Sequence, residues 1–281
     1  MKLALYIVGT PIGNLDDISS RAIKILNGVD IIACEDTRHS MHLLSKFSIK
    51  KKLIALHQHN EKSKSFFLIK EIQSGKSVAY ISDAGTPGIS DPGAYLVHKA
   101  LEARINVIPV PGASAVTTAL SAAGILSTQF NFYGFLPNTD SKSEKIIKQF
   151  YESQITSIFF ESPRRVLKTL GIIEEVYGSN QVIFIGRELT KIYETLYKEK
   201  VQDLRKKFSD EKNNLKGEFV IIIEGTEREN KKPYRDEIQN ALKIMLNELS
   251  LNQSVKLISK IYELKKNKIY DLALELKNND K

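Results

Sequence analysis

The fold is decided by residues 77–93, which read SVAYISDAGTPGISDPG. An apolar run ends at Asp83, and the loop behind it contains three glycines and two prolines before a helical stretch begins. Glycine lets a backbone approach a ligand closely, and proline fixes the shape of a loop. A plain turn between a strand and a helix is the alternative. A second loop of this kind, GTPIGNL at residues 9–15, favours a ligand site.

Outward from this loop, short apolar runs alternate with helical periodicities from residue 3 to residue 112. This alternation predicts a parallel sheet with helices on its faces. Ligands of such sheets bind beyond the carboxyl ends of the strands. Four of the predicted strands end in glycine, proline or charged residues, and we expect these ends to share one rim. The ends are Gly9-Thr10-Pro11, Glu35-Asp36-Thr37-Arg38, Asp83, and Pro111-Gly112-Ala113-Ser114.

The rest of the chain predicts a second α/β region and a helical tail. A helix of small residues, ASAVTTALSAAG, is followed by the predicted strands FNFYGFLP, TSIFFES, QVIFIGREL and KGEFVIIIEG. The segment between the last two, as far as Lys212, is charged. The predicted domains are therefore residues 1–113, residues 114–226 and a helix-turn-helix-like appendage at 234–281. The apolar positions expected to pack the tail are Leu242, Ile244, Leu246, Leu249, Val255, Leu257, Ile258, Ile261, Tyr270, Leu272 and Leu274.

Composition bounds the environment and the partners. The chain of 281 residues has a net charge of +8, which suits a polyanion such as nucleic acid, although a lysine-rich surface can also serve solubility alone. The single cysteine, Cys34, excludes an internal disulfide and fits a reducing cytoplasm. No stretch approaches the roughly 20 apolar residues of a membrane span, and the first residues form a strand pattern rather than a signal peptide.

Several common chemistries are not supported. The first strand–helix turn, GTPIG, does not match the G-x-G-x-x-G dinucleotide fingerprint, and no phosphate-binding loop is present. The histidine pairs His39/His42 and His57/His59 lack the further ligands of a metal site, so no metal is expected. No serine or cysteine lies in a nucleophile-elbow motif.

Eight motifs taken together resemble those of the tetrapyrrole methylase superfamily and, within it, the bacterial family that methylates small-subunit ribosomal RNA. They run in order from residue 9 to residue 220: GTPIGNLDDIS, CEDTRHS, SDAGTPGISDPG, PGASA, GFLP, FESPRR, RELTKIYET and KGEFV. The resemblance implies two α/β domains with S-adenosylmethionine in the cleft between them, and a homodimer. It implies methyl transfer to the 2′-hydroxyl of a cytidine in the decoding centre of 16S ribosomal RNA.

Carried over by position, the resemblance assigns a cofactor site. Its residues are Pro11, Asp83, Gly85, Thr86, Ile89, Ser114, Thr118, Phe160 and Glu161. The chain departs from the family pattern at Arg164, where histidine is frequent, and after GFLP, where NTDSKSE is less basic than usual. Both departures concern the contact with RNA.

A ribose hydroxyl is a poor nucleophile, so removal of its proton should help the reaction. The charged groups at strand ends that could assist are Glu35, Asp36, Glu188 and Lys191. Arginines suited to phosphate or sugar contacts are Arg38, Arg164, Arg165 and Arg187. Two alternatives stay open: a methylase of small tetrapyrroles with the same fold, and an RNA-binding protein without enzymatic activity.

Overall fold

Five parallel strands form the first sheet, as the alternating pattern predicts. The computed structural model of the chain describes residues 2–127, 129–210, 215–225, 234–262 and 264–279. The strands are β1 (Leu5–Val8), β2 (Ile31–Cys34), β3 (Lys52–Ala55), β4 (Val78–Ile81) and β5 (Val107–Val110), in the order β3-β2-β4-β1-β5. A short 3-10 helix (Leu15–Asp17) and helices α1 (Ser20–Gly28), α2 (Thr37–Lys46), α3 (Glu61–Gln73) and α4 (Ala94–Glu102) connect them.

The three central strands β2, β4 and β1 are buried on both faces, which explains why they are apolar throughout instead of alternating with polar residues. On β1, Leu5 packs into one cluster with α3 and α4, whereas Tyr6 and Val8 pack into another with α1. Successive side chains point to opposite faces of a strand, so one run of apolar residues supplies both cores.

The strand order places a topological switch point between β1 and β4. These strands are neighbours, but the chain leaves β1 toward β2 on one side and leaves β4 toward β5 on the other. The crossover from β1 passes over β4 on the face of α1, the crossover from β4 passes over β1 on the face of α4, and a crevice lies between them at the carboxyl ends of β1 and β4. The loops of residues 9–15 and 82–93 begin at this crevice.

The second sheet is mixed and has the order β6-β7-β10-β8-β9. Its strands are β6 (Phe130–Phe135), β7 (Thr156–Glu161), β8 (Val182–Arg187), β9 (Thr195–Lys200) and β10 (Phe219–Ile223). Helices α6 (Asp140–Ser153), α7 (Val166–Tyr177) and α8 (Val201–Asp210) cover one face. Helix α5 (Ala115–Ala123), together with Ile12 from the loop after β1, packs on the other face.

The charged segment after β8, to which the sequence pattern assigned no element, holds β9 and α8. In α8, Val201, Leu204 and Phe208 are buried on one face, and the charges lie on the rest of the helix. Their spacing of three and four residues is that of an amphipathic helix. The surrounding lysines obscure this period in the sequence. The helix is stabilised because its apolar face packs against β9 and α7.

The chain divides into two compact units, Met1–Thr226 and Glu227–Lys281, and both sheets belong to the first. The separation of residues 1–113 from residues 114–226 as two domains therefore stays a prediction. Within the described ranges, no helix is long and apolar enough to cross a membrane.

The tail consists of α9 (Tyr234–Glu248), α10 (Leu251–Ile261) and α11 (Lys266–Asn279). Its core contains Leu242, Val255 and Ile258 of the predicted positions, and Leu246 and Leu272 pack against it. The prediction is wrong for Ile244, Leu249, Leu257, Ile261, Tyr270 and Leu274, which are exposed. Ile238, Ile269, Ala273 and Leu276 complete the core instead. Each helix carries more apolar residues than one face can bury, so the packing of three short helices selects among them.

Candidate active site

The loops after β1 and β4 are joined by a short bridge. The Thr10 N–H donates to Gly85 O at 2.8 Å, and the Gly85 N–H donates to Thr10 O at 3.1 Å. Gly85 has a φ of 76°, a left-handed conformation that glycine adopts without strain. The Thr10 hydroxyl also donates to Ser82 O at 3.2 Å. These bonds hold the two loops of the switch point together.

The other two strand ends meet the same rim. A Cβ added to Gly9 would lie 2.8 Å from the Cα of Gly112, so two backbones touch where β1 and β5 end. The Thr86 hydroxyl donates to Ala113 O at 3.2 Å. From β2, the Asp36 N–H donates to Asp83 Oδ1 at 3.1 Å. All four strand ends therefore lie on one rim.

A cavity of about 330 Å³ lies between this rim and the second sheet, a size within the roughly 300–1,000 Å³ of small-molecule sites. Six of the nine residues assigned to the cofactor line it: Gly85, Thr86, Ile89, Ser114, Phe160 and Glu161. Pro11, Asp83 and Thr118 do not line it. Pro11 is buried in the loop after β1, where Ile12 reaches the cavity instead. The sequence analysis also missed Asp91, Phe135, Leu189 and Glu218.

On the first-sheet side, three carboxyl groups influence one another: Glu35, Asp83 and Asp91. Burial, and then the negative charge of Asp83, raise the pKa of Asp91 to about 6. Burial and the charges of Asp83 and Asp91 also raise the pKa of Glu35. Among the ion pairs of the described residues, none involves these three groups. Of the three, Asp91 lines the cavity, and no cation among the described residues pairs with it there.

On the second-sheet side, Lys191 holds two carboxylates. Its Nζ lies 2.8 Å from Glu188 Oε1 and 2.9 Å from Glu218 Oε2. Burial opposes both charges, but the ion pair holds the pKa of Glu188 below its ordinary value and raises the pKa of Lys191. Glu188 is thus ionised and Lys191 protonated at neutral pH.

The loop that carries this network has an unusual backbone. Glu188 and Thr190 both have a left-handed φ, 51° and 67°. Glu188 lies where a side chain on Gly217 would be, and Lys191 where one on Gly13 would be. Glycines 13 and 217 therefore make room for the ion network itself, whereas Gly85 exposes its backbone to the cavity.

A second buried network orders the FESPRR motif. The Glu161 side chain is 1% exposed and lies 2.8 Å from the Arg165 guanidinium. Glu161 also accepts from the Ser162 N–H and the Thr169 hydroxyl, both at 2.7 Å. Arg165 donates onward to Leu136 O at 2.9 Å and Pro137 O at 3.1 Å. These hydrogen bonds connect the GFLP motif to the FESPRR motif beside the cavity.

The remaining predicted residues differ in exposure. Asp36 accepts from the Arg38 N–H at 2.8 Å and caps α2, a bond that lowers its pKa. Arg38 and Arg164 are exposed, whereas Arg187 donates to Lys216 O at 2.7 Å. Arg165 and Arg187 therefore form hydrogen bonds within the chain, whereas Arg38 and Arg164 lie at the surface. No cluster of three or more metal-ligating side chains occurs among the residues the structure describes.

The cavity residues fit S-adenosylmethionine, which combines an aromatic base with a sulfonium cation. The base suits the apolar faces of Ile12, Phe135 and Phe160. The cation suits Asp91, a carboxyl group on the cavity wall without a basic partner in the described part of the chain. A mostly apolar wall with a few placed polar groups is the usual composition of such sites.

Comparison with known proteins identifies the family. Residues 4–205 match the model for Tetrapyrrole (Corrin/Porphyrin) Methylases, and residues 235–277 match the RsmI C-terminal HTH domain. The chain is 44% identical over 271 residues to Ribosomal RNA small subunit methyltransferase I of Pasteurella multocida (strain Pm70), which covers 96% of each chain. It is 43% identical to the protein of that name from Escherichia coli O157:H7, over 96% of this chain and 94% of the relative.

Solved structures share the fold at low identity. Diphthine synthase superposes with a TM-score of 0.62 at 16% identity, over 79% of this chain and 90% of its own. The cobalamin biosynthetic enzyme cobalt precorrin-4 methyltransferase has a TM-score of 0.57 at 17% identity, over 79% and 95%. The chain is a methyltransferase that belongs to the tetrapyrrole methylase family, whose methyltransferases use S-adenosylmethionine as the methyl donor.

Proposed function

We propose that this protein transfers the methyl group of S-adenosylmethionine to the 2′-hydroxyl of a cytidine in the decoding centre of 16S ribosomal RNA. The substrate is the RNA or the small ribosomal subunit, in the cytoplasm. The observation that carries the proposal is the cavity between the glycine- and proline-rich rim and the second sheet. It offers apolar faces for a base and the Asp91 carboxylate for a cation.

The tail favours RNA over a small tetrapyrrole as the substrate. The relatives named for ribosomal RNA align with 96% of this chain, whereas the solved tetrapyrrole methylase structures align with 79%. The tail, which matches a helix-turn-helix model, accounts for much of this difference. The net charge of +8 points in the same direction, because neutralised phosphates supply most non-specific affinity for nucleic acid.

In this proposal the protein mainly positions the donor and the acceptor. The sulfonium is a good leaving group, so correct placement supplies much of the rate. Gly85, Thr86, Ile89, Ser114, Phe160 and Glu161 hold the cofactor, with Pro11, Asp83 and Thr118 supporting the loops around it. Arg38 and Arg164 contact phosphate or sugar.

The proposal is tested by mapping ribose methylation in 16S ribosomal RNA from cells that carry the wild-type gene, no gene, or a variant with a filled cavity. Ala115→Phe places a ring in the cavity wall, whereas Thr117→Phe places one on the exposed side of the same helix. We expect a methylated cytidine with the wild type and with Thr117→Phe, and none with Ala115→Phe. Unchanged 16S ribosomal RNA in the strain without the gene would contradict the proposal.

Two further assays separate the alternatives. A small-molecule methylase would methylate a porphyrinoid precursor and leave small-subunit particles unmodified. A non-enzymatic RNA-binding protein would show no heat of binding when titrated with S-adenosylmethionine.

We also propose a homodimer. Ile192 and Tyr193, in the loop between β8 and β9, expose 94% and 74% of their surface, which is unusual for adjacent large apolar residues. Sedimentation velocity of the wild type against Ile192→Ser tests this, with a monomer expected for the variant if this loop contributes to the interface.

A further inference from the structure

Asp91 is distinguished from the other carboxyl groups that line the cavity. Among the described residues, three carboxyl groups line the cavity in all: Asp91, Glu161 and Glu218. Glu161 is held by Arg165 and Thr169, and Glu218 by Lys191. Asp91 forms no ion pair with the described residues. A carboxylate held by a cation is a weak base, so Asp91 is the one of the three with a free basic function.

The four groups predicted to assist proton removal are less suitable. Asp36 caps a helix, Glu188 is bound to Lys191, and Lys191 is already protonated. Glu35 keeps a raised pKa but does not line the cavity. The geometry therefore favours Asp91 over the four predicted residues as the proton acceptor.

Asp91 is partly buried and lies in a turn that is anchored to α3. Glu61, at the start of α3, accepts from the N–H groups of Gly93 at 2.8 Å and Tyr95 at 3.2 Å, which anchors the turn that carries Asp91. The Tyr80 ring occupies the space that a side chain on Gly93 would need.

The hydroxyl of Tyr80 supplies an independent observation. It is fully buried and has no hydrogen-bond partner among the described residues, although most buried hydroxyls have one. Burial and the charges of Glu35, Glu61 and Asp91 raise its pKa, so it stays protonated. An unused donor thus lies in the field of the carboxyl groups behind the cavity wall.

We propose that Asp91 is the catalytic residue that accepts the proton of the ribose 2′-hydroxyl during methyl transfer. This rests on the proposed function. The hydroxyl oxygen forms a bond to the methyl carbon as the carbon–sulfur bond breaks with its electron pair on sulfur. The O–H bond breaks, and Asp91 receives the proton. One positive and one negative charge disappear together, so the products at the site are neutral.

The electrostatics of the rim suit this role. A general base works best when its pKa lies near the operating pH, and that of Asp91, raised by burial and by Asp83, is about 6. It is ionised at neutral pH and can accept a proton. The groups that face it are Asp83 and Ser82 after β4, Glu35 after β2 and Tyr80 on β4. The hydrogen bond from Ser82 opposes the rise of the Asp91 pKa.

The central test is Asp91→Asn, which keeps the shape and removes the basic oxygen. We expect the single-turnover rate on small-subunit particles to fall by about 100-fold or more, in line with general-base contributions of roughly 10²–10⁴. The dissociation constant of S-adenosylmethionine, measured by calorimetry, should also rise, because the Asp91 carboxylate suits the sulfonium cation, so the rates are compared at saturating cofactor. Glu102→Gln, an exposed carboxyl on the helix after the loop, is the matched control.

Two measurements keep the proposal testable if Asp91→Asn does not fold. In the wild type without cofactor, the ¹³C carboxyl resonance of Asp91 should titrate at about 6. Ser82→Ala removes the hydrogen bond that lowers this pKa, so the resonance and the acid limb of the rate profile should both move to higher pH. A resonance that titrates at the ordinary value of an aspartate overturns the proposal.

The outcomes also separate this proposal from the function on which it rests. If the wild type leaves the ribose unmodified, the proposed function fails, and the role of Asp91 fails with it. If the wild type methylates the ribose and Asp91→Asn does so at the same single-turnover rate, the role of Asp91 alone is overturned. A rate loss that saturating cofactor restores also overturns it, because Asp91 would then only bind.

Discussion

The two walls of the cavity carry carboxyl groups in opposite ways. On the first-sheet rim, Glu35, Asp83 and Asp91 face one another with no basic partner in the described residues. On the second-sheet wall, Glu161 is paired with Arg165, and Glu188 with Lys191. Paired charges hold the geometry of a loop, whereas unpaired ones keep the capacity to accept a cation or a proton. The paired carboxylates of the second-sheet side therefore hold its loops in place, whereas the first-sheet side keeps a carboxyl group that can bind a cation or accept a proton.

The largest effect is expected from breaking the buried pair. Arg165→Ala leaves the Glu161 carboxylate buried without its cation, which should lower the free energy of unfolding by about 3–5 kcal/mol. Arg164→Ala, the exposed neighbour, should change it by no more than about 0.5 kcal/mol. Urea denaturation of both variants measures the difference, and equal effects would contradict the division between the walls.

The rim should respond with the opposite sign. Because the native pKa of Asp91 is about 6, above its ordinary value, the native state binds this proton more tightly than the unfolded state does. Its ionised form therefore destabilises the fold at neutral pH, and this destabilisation declines as the pH falls from about 6 toward the ordinary value of 3.8.

Asp91→Asn should accordingly raise the free energy of unfolding at pH 7.5 by about 0.5–2 kcal/mol, the range typical of relieved functional strain. The gain should shrink below pH 6 and be lost only near pH 3.8, the ordinary value for an aspartate. Denaturation at both pH values checks this, with Glu102→Gln as the control. A variant that is less stable than the wild type at both values would show that Asp91 is a structural residue.

A smaller loss is expected for the ion network at Lys191, which is 28% exposed. Lys191→Met should cost about 0.5–1 kcal/mol at pH 7, as for other partly exposed ion pairs. The pKa of Glu188 is lowered, so this contribution is present above its ordinary value of 4.5 and is lost as the pH falls below that value. The exposed Lys200→Met serves as the control in the same urea series at pH 7 and at acid pH.

The smallest effect concerns RNA. Arg38→Ala should weaken binding to 16S ribosomal RNA and reduce the slope of log affinity against log salt by about 1, the loss of one phosphate contact. Lys76→Ala, just before β4 at the amino ends of the strands and therefore opposite the rim, should leave the slope unchanged. Equal slopes for both variants would place the RNA elsewhere.

The sequence predicted those features that depend on short-range patterns. The alternation of apolar runs and helices in the first 110 residues is confirmed by the sheet order, and the four loops meet on one rim. Prediction failed where local patterns are ambiguous. The charges around Leu204 and Phe208 masked α8, and the surplus of apolar residues in the tail gave no basis for choosing Ile238 over Ile244.

For the site, residue types and strand ends determined the neighbourhood but not the individual roles. The sequence by itself established the fold class, the family and the loops that surround the cavity, because glycine, proline and apolar periodicity act on the local backbone. Only the tertiary structure decided that Glu188 and Arg165 are paired, that Ile12 takes the place expected of Pro11, and that Asp91 has no cationic partner in the part of the chain that the structure describes. Charge pairing and burial depend on groups far apart in the chain, and the basicity of a carboxyl group follows from those distant neighbours.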